Sequence, residues 1–366
     1  MQNEEYVLNN KCPSCGANIK FNPQSGKFDC EYCKSSFTID EMKEHNNASS
    51  DKNNEDYEED VHYDVYKCKT CGAEIVCDEQ TAATFCIYCR NTAIIKSKLS
   101  NEFKPTKIIP FKKTKKDAQD AFRRVAKGKP LAPKDFTNSN IEQIRGIYIP
   151  FWLYDIDTSG DLDCSATKVR SWTVGDTRYT ETKRYMLYRN ADINFYKVPV
   201  DGSTRFDNAV MNSIEPFKYE DLVDYNHAYL AGFYAERYDV ESNACYPEAE
   251  ARALLSTKNA MFADSIGYSS KQITKNTITA TNKNTEYVLL PVWMVNVVYK
   301  GKKYTFAMNA QTGKFIGNVP ISKKKFIFYM LLTFTITALI ILLFSYLIFK
   351  GVNAWEKKYY CSSLCF

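Results

Sequence analysis

Eight of the chain's 13 cysteines fall into four Cys-x-x-Cys pairs: Cys12/Cys15, Cys30/Cys33, Cys68/Cys71 and Cys86/Cys89. Thiolate is a soft, charged donor, and a Cys-x-x-Cys turn presents two sulfurs to one side of a metal ion. Two such turns joined by a short hairpin complete a tetrahedron, which is the geometry Zn2+ takes in structural sites. With all four positions filled by protein, no site remains for water, so two structural zinc ions are expected. A redox role for such pairs needs a thioredoxin-like βαβ context, which the sequence does not have. The odd cysteine total and the paired spacing argue against a disulfide framework.

The two sets form an internal repeat. Within residues 12–37 and 68–95, Cys12, Cys15, Cys30 and Cys33 map onto Cys68, Cys71, Cys86 and Cys89 at one constant offset, with the same spacing between the pairs. Each copy opens Cys-x-x-Cys-Gly-Ala (Gly16-Ala17, Gly72-Ala73), and each carries a Tyr before its last cysteine (Tyr32, Tyr88). Glycine after the pair permits the conformation that aims N–H groups at sulfur. Cys77 takes the position of Phe21, an apolar strand site, so it is expected to be a small buried residue and not a fifth ligand. Cys164 and Cys245 stand alone, and burial is expected for both. Cys361 and Cys365 lie in the C-terminal tail, either as free thiols or as sites of lipidation or oxidation.

Signals for catalysis are poor. The three histidines (His45, His62, His227) form no triad and no His-Glu-x-x-His site. Neither Gly-x-Ser-x-Gly nor a P-loop occurs. No catalytic residue, no organic cofactor and no enzyme activity are expected. Asp155 and Asp157 share one strand face, as do Asp161 and Asp163. A divalent cation is one reading, and a solvated sheet face is the favoured one. The net charge of +5 is too small to argue for a nucleic-acid binder. The basic stretch 104–134 suits phosphate of lipid or nucleic acid, but the solvated face of an amphipathic helix is the better reading.

The expected fold class is two small β units, rubredoxin-like zinc ribbons, plus an α+β domain with antiparallel sheets and one C-terminal transmembrane helix. Ribbon 1 spans 1–40, an acidic flexible linker 41–62, and ribbon 2 63–98. The α+β region spans 103–321, the transmembrane helix 326–349, and a short tail 350–366. The linker contains Glu55-Asp56-Tyr57-Glu58-Glu59-Asp60 and almost nothing apolar, so it cannot fold by burial. In the α+β region Thr114 and Asp117 resemble a capping box, followed by an apolar face of Ala118, Ala121, Phe122 and Val125, with Gly128 at the C-terminal cap. A shorter helix is expected from Ser139. Strands are expected over 147–157, 162–172, 178–188 and 190–200, with turns at Gly160 and Val174-Gly175-Asp176. Residues 203–266 read as mostly helical, most strongly over 246–265, with Pro247 in the first turn. A meander over 286–299, 303–309 and 314–319 closes the region. Ile149-Pro150-Phe151-Trp152-Leu153 echoes Leu290-Pro291-Val292-Trp293-Met294, which predicts two related sheet modules.

Residues 326–349 carry no charge and span about 36 Å as a helix, more than the ~30 Å hydrocarbon core. The alternative, a buried core helix, rarely runs so long without a polar face. Lys302, Lys303, Lys314 and Lys323-Lys324-Lys325 precede the span, against Lys350, Lys357 and Lys358 after it. That bias places the N-terminal bulk in the cytoplasm. Zinc thiolates, which need a reducing compartment, point the same way, and no cleavable signal peptide is seen.

Cys12-Pro13-Ser14-Cys15-Gly16, the second ribbon with Thr81-Ala82-Ala83-Thr84-Phe85-Cys86, and Ile147-Tyr148-Ile149-Pro150-Phe151-Trp152 resemble bacterial TFIIB-type zinc ribbon-containing membrane proteins. So do Val198-Pro199-Val200-Asp201-Gly202-Ser203, Ser213-Ile214-Glu215-Pro216, Leu290-Pro291-Val292-Trp293 and Phe306-Ala307-Met308-Asn309. The likeness runs from ribbon 1 through the membrane span. Such proteins are sometimes labelled replication-restart helicase for their ribbons, but helicase motifs are missing here and the activity is not carried over. The resemblance implies association with membrane-stress proteins of the phage-shock and SPFH types. The expected function is therefore a non-enzymatic adaptor in the cell membrane. Its partners would be the bilayer and protein, with nucleic acid at the ribbons as the less favoured alternative.

Overall fold

The computed structural model describes residues 11–17, 19–42, 44, 64–70, 72, 74–77, 94–97, 105–137, 141–205, 208–263 and 267–363. The linker beyond residue 44, and Cys71, Cys86 and Cys89, lie outside them. The fold is mixed α/β with mainly antiparallel sheets.

A small sheet comes first: β1 (Ile19–Asn22), β2 (Lys27–Cys30) and β3 (Ser36–Phe37). Alternation puts Ile19, Phe21 and Phe28 inward, where all three are buried. β4 (Asp64–Cys68), β5 (Glu74–Cys77) and β6 (Ile94–Ser97) belong instead to a twelve-stranded sheet. Its other members are β7 (Lys107–Ile108), β8 (Ile141–Val174), β9 (Thr177–Asp201), β10 (Val223–Asp224), β11 (Tyr234–Glu236), β12 (Ser270–Asn276), β13 (Thr279–Tyr299), β14 (Lys302–Asn309) and β15 (Phe315–Gly317). The order is β10-β7-β13-β8-β11-β5-β4-β6, with β9 and β12 on β8, and β14 joining β13 to β15. β13, β14 and β15 form the expected meander.

Gly160 is not a turn. β8 passes through it as one strand, and β9 likewise runs unbroken where two strands were expected. At Gly160 (φ +148) an added Cβ would lie 2.6 Å from the Thr277 carbonyl oxygen. Here β8 changes partner, from β13 (Ser159 opposite Thr279) to β12 (Leu162 opposite Asn276), and only glycine admits the intervening backbone. The turn at Gly175 does form, between β8 and β9.

The weaker repeat is a physical one. β8 and β13 are antiparallel neighbours, with Pro150 opposite Leu289 and Pro291 opposite Tyr148. Each Pro carbonyl accepts an N–H from just past the returning strand, Gly202 for Pro150 and Ala310 for Pro291, both at 3.0 Å. The residue before each donor folds an Asx turn: Asp201 Oδ1 accepts from Ser203 N (3.0 Å), and Asn309 Oδ1 accepts from Gln311 N (2.9 Å). Each Trp donates its indole N–H to a backbone carbonyl, Trp152 to Val240 (2.9 Å) and Trp293 to Lys113 (2.7 Å).

The two copies differ in one instructive way. Asn309 directs its amide to the carbonyls of Ile214 and Pro216, whereas Asp201 Oδ2 is buried without a hydrogen-bond partner. Burial, and then the nearby Glu236, push the Asp201 carboxyl well above the usual carboxylate range. The folded chain therefore holds this proton more tightly than the unfolded chain. Stability from this group is full below about pH 4 and declines as pH rises towards the folded pKa. Asp201→Asn is expected to raise stability at pH 7 by ~1 kcal/mol, and less at pH 4. Unfolding midpoints at the two pH values check this.

Helices cover the sheet. In α1 (Lys115–Gly128), Thr114 and Asp117 make the capping box, and Ala118, Ala121, Phe122 and Ala126 are buried. Lys129, extended, is the C-cap, not Gly128. α2 (Lys134–Thr137) follows, and the helix expected from Ser139 through Glu142 is not found, because Ile141 already begins β8. α3 (Asn208–Ile214) follows β9. α4 (Ser242–Phe262) starts earlier than expected, leaving Pro247 inside it. Its small residues Ala249 and Ala253 pack with Tyr154, Ile156 and Val200. The other face of β8 carries Asp155, Asp157, Asp161 and Asp163, none of them buried. Asp155 accepts from Lys197 N (2.9 Å), and Asp157 pairs with Lys283 (3.6 Å). That is a solvated sheet face.

α5 (Lys323–Ser363) ends the described chain. Its portion Lys323–Ile348 is long and apolar enough to cross a membrane, and its most apolar window, of mean hydropathy 2.5, has none of its residues buried. Ser322 N donates to the Leu131 carbonyl (2.9 Å), and Lys325 Nζ to that of Ala132 (2.5 Å), which fixes its start on the α1–α2 loop.

Candidate metal centre

The β1–β2 hairpin pairs Ile19 with Cys30 and so carries the second cysteine turn back towards the first. Cys12 begins a turn closed by Gly16 N donating to Cys12 O (2.8 Å), with Gly16 at φ +69. Cys30 begins a second turn closed by Lys34 N on Cys30 O (3.0 Å), with Lys34 at φ +63. Cys33 N also points at Cys30 Sγ (3.5 Å). The two turns are one device, built once on glycine and once on lysine. A side chain in this left-handed region is strained, so Lys34→Gly is expected to stabilise the module by about 0.5–1 kcal/mol. A higher chelator concentration needed to unfold residues 11–42 would show it.

The four sulfurs meet. Cys12 Sγ lies 3.5 Å from Cys33 Sγ, and Cys15 Sγ lies 3.6 Å from Cys30 Sγ, with all four within 4.8 Å of one another. Those gaps are far longer than a disulfide bond of ~2.05 Å. Four sulfurs at ~2.3 Å from a tetrahedral zinc sit about 3.8 Å apart, so the donor set fits a metal ion in kind, number and spacing. Cys12 and Cys30 are buried, while Cys15 and Cys33 face outward.

The electrostatics agree. The Ser35 hydroxyl and N–H bring the Cys33 thiol down to about 6. The Ala17 N–H pulls Cys15 down too, but desolvation and the other three sulfurs raise it to about 12. One sulfur ionises easily and another resists, because four thiolates cannot share this space without a counter-charge. A bound dication would supply it.

The module is docked, not dangling. Phe21 and Phe28 set their rings against Tyr229, with centroids 5.4 and 5.9 Å away. Tyr229 stands on a 3-10 turn, His227–Leu230, capped by the Asn226 side chain. This docking had no signal in the cysteine spacing.

At the second set, Cys68 is described and buried. Gly72, at φ +72, donates to Cys68 O at 2.8 Å, repeating the Gly16–Cys12 geometry. Ile75, the counterpart of Ile19, is likewise buried. Cys77 lies in β5, opposite Asp64. The turn is held by the body: Arg205 Nη2 donates to Gly72 O (3.2 Å), while Arg205 Nε lies 2.8 Å from the buried Glu236. β5 itself pairs with β11.

These features define a class: a mixed α/β protein with a four-cysteine, ribbon-like metal module and an apolar C-terminal helix. The model "Domain of unknown function (DUF8512)" matches residues 10–44, which enclose all four cysteines of the first cluster. The whole chain is similar to "Uncharacterized protein YdjG" of Bacillus subtilis (strain 168), with 35% identity over 320 residues, 87% of this chain and 92% of that protein. The chain belongs to the family of YdjG. No solved structure matches it.

Proposed function

We propose that this chain is a non-enzymatic adaptor of the cell membrane, anchored by α5 and using its cysteine modules as rigid platforms for protein partners. Two structural zinc ions would hold the platforms, the second in Cys68, Cys71, Cys86 and Cys89. The reading rests above all on the two-sidedness of the first module. Phe21 and Phe28 are spent on docking to Tyr229, while the opposite turn leaves Tyr32 82% exposed beside the outward-facing Cys33. A site saturated by four thiolates leaves no open position for Lewis-acid chemistry at the metal, so it suits shaping a surface.

The lysine bias around α5 and the thiolate ligands favour a cytoplasmic bulk. Likeness to TFIIB-type zinc-ribbon membrane proteins supports partners of the phage-shock and SPFH types. Capture from solubilised membranes by the full chain and by Tyr32→Ala tests the platform. The variant is expected to lose partners that the parent retains, and identical partner sets would sink the idea. A salt-dependent shift of DNA or RNA by the protein would favour nucleic acid instead. The pairing of Lys20 with Glu31 (3.0 Å) weakens that alternative by reducing the positive charge on the module.

A further inference from the structure

Among the described residues, β9 is an edge: it pairs with β8 and with no other strand. Over Thr177–Phe195 the pairing keeps one register, and the segment contains no proline or glycine. Proteins usually blunt an edge of this length with a bulge, a proline or a covering element. Here the first irregularity comes only at the shift between Tyr154 and Ile156, beside Lys197 at φ +57. α4 ends at Phe262, which packs against Cys164, Ala166 and Leu187. Beyond that point no helix among the described residues lies over the β8–β9 ribbon, and Tyr179, Tyr185, Met186 and Tyr188 along β9 are exposed.

The charges on this edge carry a pattern. Over Thr177–Phe195 they are Arg178, Glu181, Lys183, Arg184, Arg189 and Asp192. When two identical strands pair antiparallel about a two-fold axis, facing residues lie equally far from the residue on the axis. With Tyr185 on the axis, Arg178 faces Asp192 and Glu181 faces Arg189, and symmetry doubles each pair. Lys183 then faces Leu187, Arg184 lays its aliphatic stem on Met186, Thr182 faces Tyr188, and Tyr179 faces Ala191. No like charges meet. Moving the axis to Arg184 sets that arginine against its own copy, and moving it to Met186 sets Lys183 against Arg189. No other register gives both acidic residues a basic partner.

We propose that β9 is a dimerisation edge, on which a second copy of this chain pairs antiparallel from Thr177 to Ile193 with Tyr185 on the two-fold axis. The backbone rows satisfy one another, and the exposed aromatic residues gain cross-strand neighbours.

Crosslinking through one added cysteine in the full chain, with its 13 native cysteines kept as the background, tests the register in detergent micelles. Facing Cα atoms in an antiparallel pair lie ~4.5–5.5 Å apart, within disulfide reach. Tyr185→Cys is therefore expected to give a covalent homodimer under mild oxidation, at least about tenfold faster than the unsubstituted chain. Thr177→Cys is the control, since its two copies would stand about 54 Å apart. Equal rates for the two variants would overturn the proposal, as would crosslinking of Tyr185→Cys to a foreign protein without homodimer. Arg178→Asp, which turns both copies of its pair with Asp192 repulsive, is expected to raise the dimer dissociation constant about tenfold, and adding Asp192→Arg to restore it. An unchanged dimer in the single variant would equally contradict this register.

Discussion

Cys30→Ser is expected to abolish metal binding at the first site and to unfold residues 11–42 from the body. Cys30 is buried, approaches Cys15 at 3.6 Å and receives the Cys33 N–H, so it holds both the ion and the second turn. Structural zinc typically supplies ~10–16 kcal/mol of binding free energy to a small module, far more than so small an apolar core supplies. Phe21 and Phe28 would then leave Tyr229, and the large aromatic surfaces so exposed would favour aggregation. Limited proteolysis after zinc chelation checks the same point. The parent chain is expected to become cleavable over residues 11–42 on chelation, and Cys30→Ser to be cleavable without it. Resistance of the variant comparable to the metal-loaded parent would show that packing, not metal, holds the module.

The second large effect concerns α5. Truncation before Phe326 is expected to move the protein from the membrane to the soluble fraction. A fully exposed apolar span of this length gains on the order of 10 kcal/mol from the bilayer on insertion scales. A single buried charge costs only ~3 kcal/mol on the same scale, so Ile340→Arg is expected to leave the protein in the membrane. The contrast separates a spanning helix from a weakly held surface helix, which one arginine would release. Carbonate-resistant pelleting of parent, truncated chain and Ile340→Arg reads it. A truncated chain that still pellets would place the anchor elsewhere.

What was readable in the sequence was local. The Cys-x-x-Cys-Gly turns, the Thr114–Asp117 capping box and the meander after Glu286 depend on residues a few positions apart, so spacing encodes them directly. What was hidden depends on distant partners. Gly160 looks like a turn until Thr277 is seen against it. Phe21 reads as an ordinary strand residue until Tyr229 arrives from more than two hundred positions away. β5 carries no mark of its pairing with β11, because an edge is chosen by the whole sheet. The Pro-x-Trp echo of β8 and β13 was visible, but not the matched Asx turns at Asp201 and Asn309 that make it structural. At the first cluster, the four cysteines that meet could be read in advance, but the left-handed strain at Lys34 could not.

Metal held by the cysteine sets would underlie both the fold of the first module and its proposed role. Elemental analysis of the full chain, extracted from membranes in detergent without chelator, measures this directly. Two zinc ions per chain are expected, falling to one in Cys30→Ser. A metal-free protein with residues 11–42 folded would contradict the account at its root.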